Sequence, residues 1–312
     1  MRLLLLPLTF FCLFLSSVFF PGLCLGAGAG AEKGYSPLTN LPGDIFSDYK
    51  IYAGEVFQKK NIWPAAGLTA ATGLLIYYDE ELIAEAKRFG RKLGLGNTDK
   101  TKAFIEVGGL PILRGPTDTG SALYFLGDGW THFSITAGFY AYGYLAGNSR
   151  AVRTGYALLE GLGSTAVLTQ VMKRSTGRQS EYVSTGKRGE WHFFPNQLEY
   201  NKHVASYDAF PSGHLATAMM TVTVISTNYP EYPAIAPVGY GLMTLLGFQM
   251  MNNGVHWASD YPLAISIGYS LGKISALRSQ GRLGAAGGKD GAVRIYPDLG
   301  PGYSGLLVSK KI

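Results

Sequence analysis

Cysteine is nearly missing from this chain: 312 residues hold two, Cys12 and Cys24, and both fall in the opening apolar stretch. That stretch begins Met1-Arg2, runs through Leu3–Leu6 to Phe20, and leaves through the small residues Ala27-Gly28-Ala29. A positive start, an apolar middle and a small-residue exit make residues 1–29 a candidate secretory signal peptide. Leu23 stands before Cys24 where a lipoprotein signal wants a small residue, which disfavours lipid attachment. Cleavage after Ala29 would leave a mature chain without cysteine, excluding disulfides, thiol nucleophiles and thiolate metal sites. The expectation is an exported protein of the periplasm or cell envelope.

Charge is also scarce. Asp, Glu, Lys and Arg make up 15% of residues, against about 25% in ordinary soluble domains. With hydrophobic residues at 47%, a disordered polyelectrolyte is excluded. The 42 glycines follow no three-residue period, which excludes collagen. The net charge of +6 is spread along the chain with no basic cluster on one element, so no nucleic-acid partner is expected. No metal site and no cofactor are expected either. A dinucleotide-like spacing at Gly161, Gly163 and Ala166 has no strand before it and reads as close helix packing.

What is present is a series of long apolar segments: Ile62–Tyr78, Trp130–Gly147, Ala157–Met172, His214–Ser226, Ile235–Met251 and Pro262–Leu277. They are rich in Ala, Gly and Leu, show little period-2 alternation and are mostly longer than strands. The expected fold is an all-α bundle of about six core helices. Residues 30–61 form an N-terminal segment whose Asp44–Asn61 stretch has helical amphipathicity through Ile45, Tyr49, Tyr52 and Val56. Residues 62–277 form the main domain with a polar insertion at 174–208, and 278–312 a Gly-rich tail in which 305–312 fits a strand or a simple tail. Trp130–Gly147 and Ile235–Met251 approach the about 20 residues of a membrane span, but Gly, Ser, Thr, Asn and His dilute them. A soluble or peripheral bundle and an integral one both fit.

With five histidines in the chain, two stand out by their settings. Phe210-Pro211-Ser212-Gly213-His214 is followed, forty-two positions on, by His256-Trp257-Ala258-Ser259-Asp260. His256 and Asp260 are four apart, so on a helix they share a face and the carboxylate can fix the imidazole tautomer. That leaves one ring nitrogen available as a nucleophile. Pro-Ser-Gly suits a turn opening a helix, with Ser212 and the amides of Gly213 and His214 turned toward an anion. A Ser212–His214 hydrolase is disfavoured: there is no Gly-x-Ser-x-Gly elbow, and residues two apart do not meet on a helix. His132, His192 and His203 lack such context and read as structural or surface residues.

The sequence resembles the type 2 phosphatidic acid phosphatase and vanadium haloperoxidase superfamily, whose signature is Lys-x6-Arg-Pro, Pro-Ser-Gly-His and Ser-Arg-x5-His-x3-Asp. The second block is complete at Pro211–His214. The third matches at His256 and Asp260, with Gln249-Met250 in place of Ser-Arg. The first matches at Lys173, with Ser180-Glu181 in place of Arg-Pro. The resemblance implies His256 as nucleophile, Asp260 as its orienter and His214 as acid and then base. It implies Lys173, Ser212 and the Gly213 amide as phosphate ligands, with no metal needed for ester hydrolysis; the haloperoxidase branch binds vanadate at the equivalent place. The implied activity is hydrolysis of a phosphomonoester or pyrophosphate, lipid-linked if the helices meet a membrane, through a phosphohistidine.

Both phosphate-clamping arginines are absent from their positions, and each lost donor costs about 10²–10³ in rate. Arg174, Arg178, Lys187, Arg188 and Lys202 are candidate replacements. The alternative is a catalytically degenerate envelope protein that binds or scaffolds. Oligomeric state is not legible.

Overall fold

The computed structural model describes residues 40–107, 110–283, 293–300 and 303–310. The expected signal peptide at 1–29 lies outside them. The helices are α1 Leu41–Val56, α2 Ile62–Lys92, α3 Thr119–Phe125, α4 Gly129–Leu145, α5 Ser149–Thr176, α6 Gln197–Lys202, α7 Gly213–Asn228, α8 Ile235–Asn252 and α9 Tyr261–Ser279. Two antiparallel hairpins, β1 Thr101–Val107 with β2 Leu110–Pro116 and β3 Val293–Gly300 with β4 Tyr303–Lys310, are the only strands among the described residues. The all-α expectation holds: five of the six predicted core segments lie inside α2, α5, α7, α8 and α9, and Trp130–Gly147 runs two residues past the end of α4.

Side-chain caps start several helices. Asp118, Asp128, Asn148 and Ser212 each accept from a backbone amide in the first turn that follows, satisfying donors that have no intrahelical partner. At the other end of α5, Gly177 sits at φ +55, and an added Cβ would lie 2.1 Å from the His192 carbonyl oxygen. Only glycine turns the chain there without strain.

The centre of the bundle is α7 against α9. A Cβ on Gly268 would stand 2.1 Å from the Ala216 oxygen, and one on Gly272 2.7 Å from that of Met220, so these two backbones touch. Gly161 of α5 lies against Met220 and Gly163 against Ile45 of α1, so this glycine pair serves helix packing. Leu215, Met219, Leu246, Met250, Trp257 and Ile265 are among the buried residues that fill the main core.

No helix among the described residues is long and apolar enough to cross a membrane. Within the two stretches that came nearest, α4 buries His132 and Thr136, and α8 buries Gln249 and Asn252.

The residues α1 buries fully are two acids. Val56 is exposed, while Asp44 and Asp48 are wholly enclosed. Ile45 and Tyr52 do pack inward, and the Tyr49 hydroxyl donates to the Ser164 oxygen at 2.8 Å. Asp44, Asp48 and Glu160 surround the single guanidinium of Arg278: its Nη2 donates to Asp48 at 2.6 Å and its Nε to Glu160 at 2.7 Å. Tyr156 donates to Asp44 at 2.7 Å. Hydropathy patterns cannot find such a contact, because polar residues occupy the inward face.

One cation among three buried carboxylates favours holding a proton. Burial raises the Asp48 carboxyl to about 6 against the pull of Arg278, and Glu160 is raised well above its ordinary value. The native state therefore holds protons that the unfolded chain has released between roughly pH 4 and 6, so this cluster's contribution falls as pH rises through that window. The expected outcome is that Asp48→Asn gains stability relative to wild type as pH rises from 4 to 6, followed by chemical denaturation. Arg278→Met, which strands the acids, should cost about 3–5 kcal/mol.

Candidate active site

The three sequence blocks meet at one end of the bundle. The N terminus of α7 brings Ser212, Gly213 and His214. The loop after α8 and a single 3₁₀ turn at Ala258–Asp260 bring His256 and Asp260, and the last turn of α5 brings Lys173. Backbone hydrogen bonds stitch these segments together. The Ser212 amide donates to the Asp260 oxygen at 3.1 Å, and the Ala209 amide to the Arg178 oxygen at 3.0 Å. The rings of His214 and His256 lie 6.3 Å apart, edge to face.

His256 is nearly enclosed. Its Nδ1 lies 2.8 Å from the Ala209 carbonyl oxygen and 3.3 Å from Asp260 Oδ2. Two acceptors on one side require a proton on Nδ1, which leaves the Nε2 lone pair free. Asp260 is itself held: Oδ2 accepts from the Trp257 amide at 2.8 Å, and Oδ1 from Arg178 Nη1 at 2.5 Å.

Arg178 is the residue that sequence reasoning misplaced. It was one of five candidate replacement cations, yet it lies behind the histidine. It is wholly buried, with Nη1 on Asp260 and Ser259 and Nη2 on Asp79 of α2 at 2.7 Å. Trp191 and Trp257 cover the guanidinium at 4.9 and 5.2 Å from their ring centres. Asp79 also accepts from the Ser259 amide at 3.0 Å and from its hydroxyl. One guanidinium thus serves two buried carboxylates behind His256. Burial raises Asp79 above the ordinary carboxylate range, opposed by Arg178. The pairing of Gly177 with Arg178 in the first block was a signal for this site. Asp79, in the charged run Asp79-Glu80-Glu81, gave none.

The remaining cations are accounted for. Arg174 stacks on Tyr200 at 4.2 Å, Arg188 lies over Tyr77 at 5.1 Å, Lys202 pairs with Glu199 at 3.0 Å, and Lys187 is exposed. At the clamp positions, the Ser180 amide donates to the Ala205 oxygen, and Met250 is fully buried with Sδ 3.6 Å from Ser212 Oγ. Gln249 turns away, donating to the Gly96 oxygen at 2.8 Å and to Asn253 at 2.7 Å. Neither position supplies a cation.

Lys173 lies beside the start of α7, its ammonium 3.7 Å from where a Gly213 Cβ would be. Its partner is internal: Nζ donates to the Asp208 carboxylate at 2.6 Å and to the Asp208 carbonyl oxygen at 2.8 Å, while the Tyr200 hydroxyl donates to the same carboxylate. Ser212 Oγ accepts from the Leu215 amide at 3.4 Å, capping α7.

His214 sits in a tight, cationic corner. The Tyr124 ring centre is 4.8 Å away, and Gly127 approaches so closely that a Cβ there would lie 2.7 Å from that of His214. Burial, and then the positive potential of His256, Lys173, His132 and Arg114, lowers its pKa to about 3. Arg114 donates to Asp128 at 2.6 Å. His132, read from sequence as structural, is buried with Nδ1 2.9 Å from the Thr221 hydroxyl, and burial lowers its pKa to about 4. His192 is half-buried beside Glu190, and His203 is exposed beside Glu199. Among the described residues no group of His, Cys, Asp and Glu is arranged to hold a metal ion.

Residues 154–282 match the family model described as the PAP2 superfamily. Over this stretch the helical core is similar to the PAP2 superfamily. The match takes in most of α5 and all of α6 to α9, and with them Lys173, Ser212–His214 and His256–Asp260. It implies phosphatase-type chemistry on phosphate esters in general. Comparison with curated proteins and with solved structures gives no match.

The His214 ring should remain neutral from pH 8 down to pH 4.5. The ring carbon-bound proton shifts in NMR read this directly, and a titration centred near 6.5 would contradict the enclosed, cationic setting.

Proposed function

We propose that this protein is a metal-independent phosphatase acting on a phosphomonoester or pyrophosphate through a phosphohistidine at His256. The observation that carries this reading is the pair of facing imidazoles, one of them held by Ala209 and by the Asp260–Arg178–Asp79 chain. His256 Nε2 attacks phosphorus, a P–N bond forms, and the bond to the leaving oxygen breaks as that oxygen takes a proton from His214. Water then attacks phosphorus, gives its proton to His214, and releases phosphate and neutral His256. Lys173, Ser212 and the Gly213 amide face the phosphate oxygens once Asp208 turns aside, with the positive end of α7 behind them. The leader composition of residues 1–29 supports export to the periplasm or envelope. There a lipid-linked phosphate met at a membrane surface is one source of substrate, and a soluble ester the other.

A second reading has its own support. Met250 and the Lys173–Asp208 pair replace charge that transition-state binding needs, which favours a degenerate site that keeps the fold to bind or scaffold. Phosphate release from a panel of esters separates the two. The first predicts turnover that falls at least 10³-fold in His256→Ala and thermal stabilisation by vanadate that this variant loses; equal turnover by the variant, or no vanadate shift at millimolar concentration, favours the second.

The proton balance adds a pH signature. His214 is neutral in the free protein, so the proton for the leaving oxygen must enter with the substrate, as a phosphate monoanion or by uptake onto His214. Phosphate esters lose their second proton near pH 6. The expected kcat/KM therefore declines as pH rises from 5 to 8, and a flat profile would remove His214 from the acid role.

A further inference from the structure

The far end of α7 opens into a second concave site. A cavity of about 720 Å³ lies there, lined by Arg150, Arg153, Lys273 and Arg282 together with hydroxyl groups of Thr223 and Thr227. No carboxylate is among its lining residues. It is separate from the histidine pair: α7 has 16 residues, so at about 1.5 Å per residue its two ends stand about 22 Å apart.

The four cations are not equivalent. Arg150 closes the C-terminal end of α7 structurally: its fork holds the Asn228 carbonyl oxygen and Glu231, and its plane covers Tyr229 at 4.1 Å. Lys273 and Arg153 sit at the rim, Lys273 reaching the Thr227 hydroxyl at 3.4 Å and Arg153 the Ser149 hydroxyl at the same distance. Arg282 brings a buried Nε, and Thr223, 3% exposed, a buried hydroxyl, and neither atom has a hydrogen-bond partner among the described residues. Buried polar groups are nearly always satisfied, and those that are not mark a place for a partner. Two of the residues that line this cavity thus carry an unmet donor within a ring of positive charge, and an oxyanion is the acceptor that suits both.

We propose that this cavity binds a soluble anion with at least two phosphate groups, of the diphosphate or oligophosphate class. The volume falls within the about 300–1,000 Å³ of small-molecule sites and exceeds what one phosphate fills. Charge spread over Arg153, Lys273 and Arg282 suits an extended polyanion, and hydroxyl donors between the cations suit its bridging and terminal oxygens. Four cationic side chains among the lining residues, with no carboxylate to offset them, favour a highly charged ion.

Inorganic tripolyphosphate is the probe, titrated calorimetrically into the full chain. In the Lys173→Ala chain, which lacks the ammonium proposed to hold phosphate at the other end of α7, the expected result is one ion bound, with Kd raised at least tenfold when Lys273→Ala and Arg282→Ala are added. The unfolding transition of each variant is measured alongside. Should the combined variant fail to fold, Arg153→Gln serves instead, with an expected weakening of at least threefold. No binding at millimolar ion, unaltered affinity in the folded cavity variants, or loss of binding in Lys173→Ala would each overturn the proposal.

Discussion

A guanidinium sealed away from water, with a carboxylate on either side, sets the geometry of the histidine end of this molecule. Arg178 joins α2 through Asp79 to the 3₁₀ turn through Asp260, and two tryptophans close over it. A charge so placed is costly unless every donor is met, which makes the arrangement intolerant of partial change. That intolerance is useful here. Because Asp260 cannot rotate away from Arg178, it presents a fixed edge to His256, and the Ala209 oxygen holds the same ring nitrogen. Rigidity that would otherwise require a large packed shell is supplied by a few polar contacts.

Around this frame the molecule divides its anion-handling parts unevenly. The imidazoles, the helix start and a lysine stand together, while the positions that would carry arginine forks carry Ser180 and Met250. Methionine is the more telling substitution, since it completes the hydrophobic core beneath Ser212 as well as removing charge. Positive charge has not left the protein, however. It gathers at the opposite end of α7, where helix polarity favours cations in any case, and three of the residues there exceed what capping requires.

Much of the bundle was legible because helix periodicity and apolar length survive in single sequences. Pro-Ser-Gly-His and His-x3-Asp were legible because local spacing carries their geometry. What escaped has a common physical cause. Asp79, Asp44 and Asp48 are acids buried against arginines more than ninety positions away, and no hydrophobic pattern marks an ion pair that replaces apolar contact. Arg178 was noticed as one of five candidate replacement charges, whereas it lies behind the histidine. Sequence fixed its distance from Lys173, but not the turn at Gly177 that sends it inward. The hairpin at β1–β2 went unread because its strands are bulged, and their pairing breaks register between Ala103 and Glu106.

The Lys173–Asp208 pair has a further consequence. An incoming oxyanion finds the ammonium already occupied by the protein's own carboxylate, which Tyr200 steadies from behind. Association there is an exchange of one negative partner for another, with the displaced side chain released to solvent and its tyrosine freed. Salt weakens incumbent and newcomer alike, so ionic strength has little leverage over the exchange. Selectivity then rests on shape, because a ligand prevails only by offering more oxygens than the two a carboxylate can present.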